Sequence, residues 1–453
     1  MPQVVKQTKG LNIKLEGMPE KVLSKCALPL SYAVKPTDFQ GLTPKLLVRE
    51  GDRVKAGTPL FCDKYRPEIV FASPASGTVS AINRGERRKV LSVVVAPDEQ
   101  NELEHFAVPD LTTAARESVV ACMLSSGAWA FLVQRPYGVV ANPQAVPKAI
   151  FISGFDSAPL AADADFLVNG ERASFQKGID VLKKLTPGKV HLSLCADYPA
   201  NVTFERAKGV EVHRFKGKHP IGNVGVQIHH LDAINKGDVV WTIAPQHVVS
   251  LGRLFTNGVY DVSKVVALVG SEVKKPRYYR MAAGASLNGI AEFLSEPAGN
   301  KKQRVISGNV LTGANVGIDG HLGFYHNEVT VIPEGNYHEL LGWLMPRFSK
   351  FSVSRTYFSW LFPGKRYRLD TNINGGQRAF TVTGQYEKVL PMDIYPVYLL
   401  KAILAGDVEK MEQLGIYEVI EEDLALCEFV CTSKMNVQEM LRRGIDVMIK
   451  EMS

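Results

Sequence analysis

The sequence predicts a multidomain α/β protein, and three patterns along its 453 residues support this fold class. Glycines and valines at regular spacing between 50 and 79 predict a small β-barrel sandwich. Strands that alternate with helices between 149 and 255 predict a parallel α/β sheet. The C-terminal region has the pattern of a helical domain. At roughly 150 residues per domain the chain accommodates three or four domains, which we expect at 1–104, 105–257, 258–335 and 336–453.

The first region combines turn glycines with core aliphatic residues. The pattern is formed by Gly51, Val54, Gly57 and Leu60, followed by Pro74, Gly77 and Val79. It resembles the biotinyl/lipoyl carrier domains, which attach a cofactor to a lysine on a hairpin. The corresponding hairpin here is 62–67, and Lys64 lacks the flanking methionines of a biotin site. We therefore expect a carrier-like fold with an unmodified Lys64, and modification of Lys64 is the alternative.

The second region has the pattern of a Rossmann-like domain. We expect an apolar helix at 110–133 and an amphipathic helix at 174–185, in which Phe175, Ile179 and Leu182 share one face. Another helix is expected at 246–255. The expected strands are 149–153, 190–195, 210–215 and 238–243.

The remaining chain predicts a second β-rich module and a helical end. Strands at 265–269 and 304–311 flank a short helix at 286–294, an order that resembles the β-grasp (SLBB, ubiquitin-like) module. Further on, Asp407 can cap a helix at 408–414 that Gly415 terminates. Asn436 can cap a final helix at 437–450.

Composition and charge give few functional clues. The net charge of +7 is too small to indicate nucleic-acid binding by itself. No apolar run approaches the roughly 20 residues of a membrane span, and the N-terminus lacks a signal-peptide core. We therefore expect no transmembrane segment and a cytoplasmic location. The six cysteines are scattered, which suits a reducing compartment.

The groups that hold redox cofactors are not apparent in the sequence. Gly154 follows the first parallel strand without a G-x-G-x-x-G motif, and Asp156 stands where a pyrophosphate would be repelled. Cys427 and Cys431 are too few for an iron–sulfur cluster or a cysteine zinc site. We expect no tightly bound redox cofactor, no metal site and no catalytic residue in this chain.

One segment has the composition of a quinone site. Residues 218–229 combine basic donors, glycines and aliphatic residues, and a quinone needs an apolar slot with donors to its carbonyl oxygens. His229 and its neighbour His230 are expected on a strand, facing opposite sides. A loop at a domain interface is the alternative. The candidate quinone contacts are Lys218, His219, Gly222, Gly225 and His229.

A second segment has the composition of an interface. Residues 340–369 contain basic and aromatic side chains and no acidic residue, which suits docking on a membrane partner. A partly buried connector and stacking on single-stranded nucleic acid are the alternatives. The docking candidates are Arg347, Phe351, Arg355, Trp360, Lys365 and Arg366.

Several stretches in the same order resemble the NqrA family, which supplies one of the six subunits of the sodium-translocating NADH:quinone oxidoreductases. They span nearly the whole chain and lie at 11–17, 51–54, 73–79, 146–151, 158–163, 219–222, 304–313, 351–355 and 423–431. The resemblance implies a peripheral location on the cytoplasmic face of the bacterial inner membrane, in a complex that oxidises NADH, reduces ubiquinone and exports Na⁺. It also implies that NADH, FAD, FMN and iron–sulfur centres belong to other subunits.

The same resemblance names the partners and leaves one alternative. The partners are the five other subunits, chiefly a membrane subunit, with ubiquinone as a candidate ligand and no nucleic acid. The family is also similar to the flavin- and cluster-bearing NADH subunit of complex I and to the corresponding cluster-bearing component of the Rnf complex. An autonomous soluble nucleotide-binding oxidoreductase is the alternative function. An isolated chain without catalytic groups is the expectation that separates the two.

Overall fold

The computed structural model describes residues 4–296, 302–342, 345 and 347–452. Twenty strands and eleven helices lie in these residues. The strands are β1 Val4–Lys6, β2 Leu23–Ser24, β3 Tyr32–Val34, β4 Pro44–Leu46, β5 Arg53–Val54, β6 Pro59–Asp63, β7 Val70–Ala72, β8 Gly77–Arg84, β9 Val90–Pro97, β10 Val133–Arg135, β11 Val139–Val140, β12 Ala149–Ser153, β13 Lys189–Cys195, β14 Glu211–Lys216, β15 Val240–Thr242, β16 Ser263–Val269, β17 Arg277–Ala282, β18 Gln303–Ser307, β19 Ala314–Asn315 and β20 Glu328–Pro333. The helices are α1 Arg116–Ser125, α2 Ala164–Leu167, α3 Arg172–Leu185, α4 Val202–Glu205, α5 Val224–Asp232, α6 Pro245–Asn257, α7 Tyr386–Val389, α8 Pro396–Ala405, α9 Val408–Gln413, α10 Glu421–Val430 and α11 Val437–Met452.

Residues 32–97 form two small sheets around one core. The strand orders are β3-β9-β8-β5 and β4-β6-β7. Gly77 adopts a φ of 154° where β8 meets β9, and a Cβ there would lie only 2.0 Å from the position of Ala96 O, so glycine is required. The predicted hairpin is confirmed, because β6 and β7 pair antiparallel and Lys64 is exposed at their turn.

The α/β region forms a seven-stranded sheet of order β1-β14-β13-β12-β15-β10-β11. The four predicted strands are confirmed and run parallel to one another. Phe175, Ile179 and Leu182 of α3 are buried in one core with α6, as predicted. The opposite face packs against α5 and the C-terminal helices. The first strand of the chain, β1, extends this sheet next to β14.

A third sheet follows, with the order β19-β18-β20-β16-β17-β2. The strands β16 and β17 are antiparallel, β16 and β20 are parallel, and β2 from the N-terminal segment forms the edge. The five C-terminal helices pack beside the α/β sheet. As predicted, the Asp407 side chain accepts a hydrogen bond from Lys410 N–H at the start of α9, and Gly415 ends that region in the left-handed conformation.

Four local predictions need correction. The helix expected at 110–133 is shorter, because Gly127 turns the chain with a φ of 78° after α1. The helix expected at 286–294 is the 3-10 helix Asn288–Phe293. The strand expected at 304–311 ends at Ser307, where Gly308 has a φ of 96°. His229 and His230 lie on α5 rather than on a strand.

Among the described residues, no helix is both long enough and apolar enough to cross a membrane. Residues 343, 344 and 346 of the predicted docking segment lie outside the described part.

Candidate functional site

A cavity of about 720 Å³ opens at the carboxyl ends of β12 and β15. Ser153 and Ala244 contribute to it from the α/β sheet, which is the edge where open α/β sheets bind their ligands. Asp38 reaches it from the N-terminal region, Glu328 from the start of β20 and Glu422 from α10. Four parts of the chain therefore meet at one concave site.

Two of the five quinone candidates, His219 and Gly222, line this cavity. His219 is buried, and its Nδ1 lies 3.0 Å from Ser157 Oγ. Gly222 N–H donates to the same oxygen at 2.8 Å, so the Ser157 hydroxyl is free to donate to Nδ1 and leave the imidazole proton on Nε2. Burial lowers the pKa of His219 to about 4, and the ring is neutral at pH 7.

Gly222 must be glycine for a steric reason. A Cβ at this position would lie 2.5 Å from Ser157 N and 2.8 Å from Ser157 Oγ. The chain therefore passes close to the Asp156–Ala158 turn, and this approach places His219 beside the carboxyl end of β12.

The other three quinone candidates lie away from the cavity wall. Lys218 is exposed. Gly225 packs directly against the side chains of Arg135 and Asp423. His229 accepts Asp393 N–H at Nε2 at 3.0 Å and lies 2.6 Å from Glu418 through Nδ1, so both ring nitrogens are used within the protein.

Buried carboxyl groups give the cavity its electrostatic character. Asp156 accepts Ala158 N–H at 2.8 Å, and Glu328 accepts Ala162 N–H at 2.7 Å. Burial raises the pKa of Asp156, and burial together with the charge of Asp156 raises the pKa of Glu328 well above its usual range. A carboxylic acid that stays protonated can donate a hydrogen bond into the cavity.

An ion-pair cluster closes the opposite side of the cavity. Arg135 donates to Asp423 Oδ2 at 2.7 Å and to Glu422 Oε1 at 2.5 Å. Burial raises the pKa of Glu422 to about 7, although Arg135 opposes the shift. These contacts fasten the start of α10 to the end of β10 and fix the cavity wall.

The cavity is poorly suited to a pyrophosphate. The N-terminus of α2, the first helix after β12, is capped by the Asp163 carboxylate, which accepts Phe166 N–H at 3.2 Å. Asp156 and Glu328 stand close by. An anionic ligand would meet like charges or force extra protonation. A neutral ligand with carbonyl oxygens would meet hydrogen-bond donors instead.

The six docking candidates belong to a second site, the basic-aromatic surface, which we define as the described residues of 340–369. Arg355, Trp360, Lys365 and Arg366 are exposed, whereas Arg347 and Phe351 are half-buried. Arg347 pairs with Glu339 at 3.3 Å, and the guanidinium of Arg355 lies 5.8 Å from the centroid of the Trp360 ring.

Large apolar side chains of the basic-aromatic surface are exposed to solvent. Phe348 is 57 % exposed and Trp360 is 52 % exposed. The other exposed apolar side chains of this surface are Leu340, Leu341, Met345, Val353, Leu361 and Phe362. A contiguous segment with this many exposed apolar groups is typical of an interaction surface.

Most of the cavity wall cannot be found by reasoning from the sequence. Arg135, Glu328 and Glu422 come from three distant segments, and no local pattern marks any of them. Asp156 is predicted from the sequence only as a group that repels phosphate. A signal is present at Arg135, a basic residue at the end of an apolar strand that can be buried only with an acidic partner.

Three family models match successive parts of the chain. The NqrA N-terminal barrel-sandwich hybrid domain matches residues 5–98. The NqrA second alpha/beta domain matches residues 114–260, and the NqrA C-terminal domain matches residues 265–317. These ranges agree with the two small sheets, the seven-stranded sheet and the start of the third sheet. The barrel-sandwich and α/β parts of the predicted fold class are confirmed at this level, and the Rossmann-like and β-grasp labels stay predictions.

Full-length relatives carry one name, that of the NqrA component of the Na(+)-translocating NADH-quinone reductase. The chain is 40% identical over 451 residues to this protein from Neisseria meningitidis serogroup C, covering 99% of this chain and 100% of the relative. It is 41% identical over 442 residues to the protein of that name from Yersinia pseudotuberculosis serotype O:1b, covering 97% and 98%.

A likeness among solved structures is weaker. A chain of the NAD⁺-reducing NiFe hydrogenase in its air-oxidised state is 13% identical with a TM-score of 0.36, covering 78% of this chain and 68% of the other. A similarity at this level supports no conclusion about function.

Proposed function

Because the chain belongs to the NqrA family of the Na(+)-translocating NADH-quinone reductases, we propose that it serves as a peripheral subunit of a complex that oxidises NADH, reduces ubiquinone and exports Na⁺. It sits on the cytoplasmic face of the bacterial inner membrane. Its five partner subunits carry the flavins and iron–sulfur centres, and this chain holds no tightly bound redox cofactor of its own.

We assign the cavity to the quinone head group. The observation that carries this assignment is a concave site at the carboxyl ends of β12 and β15 whose buried acids disfavour an anionic dinucleotide. A quinone is neutral and offers two carbonyl oxygens. The neutral His219 and a protonated Glu328 are suited to donate to them.

We assign the basic-aromatic surface to the contact with the membrane subunit. Its cationic side chains suit a surface near anionic lipid headgroups, and its exposed rings suit a partly apolar interface. Arg355, Lys365 and Arg366 form the cationic part, and Phe348, Trp360 and Phe362 form the apolar part.

The autonomous nucleotide-binding oxidoreductase is the competing function. The Asp163 cap on α2 and the acids of the cavity weigh against it, because both occupy positions where a pyrophosphate would need free N–H groups and positive charge.

An absorbance spectrum of the purified full chain tests the cofactor part of the proposal. We expect a protein band without stoichiometric flavin or cluster absorption above 400 nm (roughly where flavins and iron–sulfur centres absorb). A stoichiometric flavin or cluster band would favour the autonomous oxidoreductase. Fluorescence titration with NADH is the matched measurement, and we expect no saturable binding by the isolated chain.

A further inference from the structure

Three metal-ligating side chains converge on one face of the α/β sheet, away from the cavity. His191 lies on β13, and Glu211 and His213 lie on β14. His191 is directly opposite Glu211 in the parallel register. Glu211 and His213 are two residues apart on one strand, so their side chains point to the same side. None of the three lines the cavity at the carboxyl ends of the strands.

From this geometry we propose that His191, Glu211 and His213 form a binding site for a divalent transition-metal ion of the zinc class. One ligand atom from each residue lies within 4.8 Å of the others. His191 Nδ1 is 2.9 Å from His213 Nε2 and 3.8 Å from Glu211 Oε2.

The distances require only a small adjustment to hold an ion. Two nitrogens bound tetrahedrally to zinc at 2.0–2.1 Å lie about 3.3 Å apart. The two imidazoles would therefore separate by a few tenths of an ångström, which side-chain rotation supplies. Two histidines and one carboxylate with an open fourth position are a donor set that zinc takes when water completes the tetrahedron.

The surroundings orient two of the three ligands. The Phe151 ring stacks on His191 with the ring centroids 4.6 Å apart and the planes 16° from parallel. Lys189 Nζ lies 2.7 Å from Glu211 Oε1, which leaves Oε2 toward the histidines. A partner that holds the other end of a ligand is the usual support of a metal site.

Burial and charge favour ligands that are free of protons. His191 is buried, whereas Glu211 and His213 are half-buried, so an ion can reach the site from the Glu211 side. Burial, together with the neighbouring His213, lowers the pKa of His191, and burial lowers the pKa of His213. Both imidazoles are neutral at pH 7, as metal ligation requires.

The sequence contains a signal for this site. Glu211-Val212-His213 on a predicted strand places two ligands on one face, and His191 lies on the preceding predicted strand. The expectation of no metal site rests on cysteine ligands alone and does not consider histidine with glutamate.

Zinc binding by the full chain tests the proposal. The chelator-stripped protein is dialysed against micromolar ZnCl₂, and the metal content is measured by mass spectrometry. We expect wild type to retain one more equivalent of Zn²⁺ than His213→Ala. Titration calorimetry should show at least a roughly tenfold loss of affinity in Glu211→Gln, since even supporting partners of ligands cost 10–100-fold. His338→Ala, which changes an exposed histidine elsewhere, should bind like wild type.

Two further measurements separate this site from thiol binding and from misfolding. Co²⁺ at the site should give visible bands of a nitrogen and oxygen environment without a thiolate charge-transfer band. Zn²⁺ should raise the melting temperature of wild type and not that of Glu211→Gln, whose side chain is half-buried and tolerates the change. Equal zinc content in wild type, His213→Ala and Glu211→Gln, or no bound zinc in wild type, would overturn the proposal.

Discussion

Arg135 and Asp423 are separated by 288 positions in the chain, yet Arg135 Nη1 lies 2.7 Å from Asp423 Oδ2 and the two side chains are 1 % and 0 % exposed. The pair joins the end of β10 to the first turn of α10. A buried ion pair is weak support for stability as long as it is intact, but removing one partner leaves a charge without compensation. The relative position of the α/β sheet and the C-terminal helices therefore depends on this contact.

Asp423→Ala should lower the free energy of unfolding by about 3–5 kcal/mol, because it leaves the Arg135 charge buried and unpaired. Urea denaturation followed by circular dichroism measures this change. Glu439→Ala is the control, since its pair with Arg443 is exposed on both sides and is worth less than about 1 kcal/mol. Similar losses in the two variants would contradict the role assigned to the buried pair.

Gly225→Ala should also destabilise the protein, by about 1–3 kcal/mol, because the added methyl group collides with the side chains of Arg135 and Asp423. Thermal unfolding provides the measurement. Gly364→Ala is the matched control, because nothing lies within 4 Å of the added methyl group there. An unchanged midpoint in Gly225→Ala would mean that the ion pair moves aside without cost.

Lys264 predicts a pH dependence of stability. It is 4 % exposed, donates to Phe324 O at 2.8 Å, and burial lowers its pKa from 10.5 to about 7. The folded state binds this proton more weakly than the unfolded state does. The stability that Lys264 contributes is therefore present above pH 10.5 and is lost as the pH falls toward 7.

Lys264→Met removes this contribution. The unfolding free energy of wild type minus that of the variant should fall by up to about 4 kcal/mol between pH 10 and pH 7. Urea titrations at four pH values measure the difference, and other titrating groups cancel in it. Lys64→Met at an exposed position should give a flat difference. A flat difference for Lys264→Met would show that the ammonium is solvated in the folded state.

The extent of correct sequence prediction follows the range of the interactions involved. Strands such as 149–153 and the buried face of α3 depend on local periodicity and are predicted within a few residues. The cavity is not, because Ser153, Glu328 and Glu422 converge only after three sheets and α10 have packed together. His229 is predicted on a strand because its aliphatic neighbours also suit one, and the helix is selected by packing against the sheet and Glu418.

His219→Ala should weaken quinone binding by the isolated chain at least about tenfold, because the variant loses a neutral donor at the cavity wall. Quenching of intrinsic fluorescence by a short-chain ubiquinone measures the affinity. His229→Ala removes a histidine that lies outside the cavity wall and should leave the affinity unchanged. Equal affinities for wild type and His219→Ala would remove this residue from the quinone proposal.

Charge reversal should release the chain from the membrane. Changing Arg355, Lys365 and Arg366 together to glutamate should strongly reduce the fraction of the chain that sediments with membranes containing the other subunits. Changing the exposed Arg87, Arg88 and Lys89 of the barrel-sandwich turn to glutamate alters the net charge equally and should have little effect. Equal release by both triple variants would indicate a general effect of charge rather than a specific docking surface.

The first strands of the chain set an order for its synthesis. Val4 pairs with Arg214 and Leu23 pairs with Tyr278, so β1 and β2 leave the ribosome long before either partner exists. The edges of two sheets can be completed only when more than half of the polypeptide has been made. The barrel-sandwich strands between them have all their partners within 32–97 and can fold early. The nascent chain must therefore keep its first 24 residues extended and available, and premature pairing of this segment is the misfolding route to which this topology is most exposed.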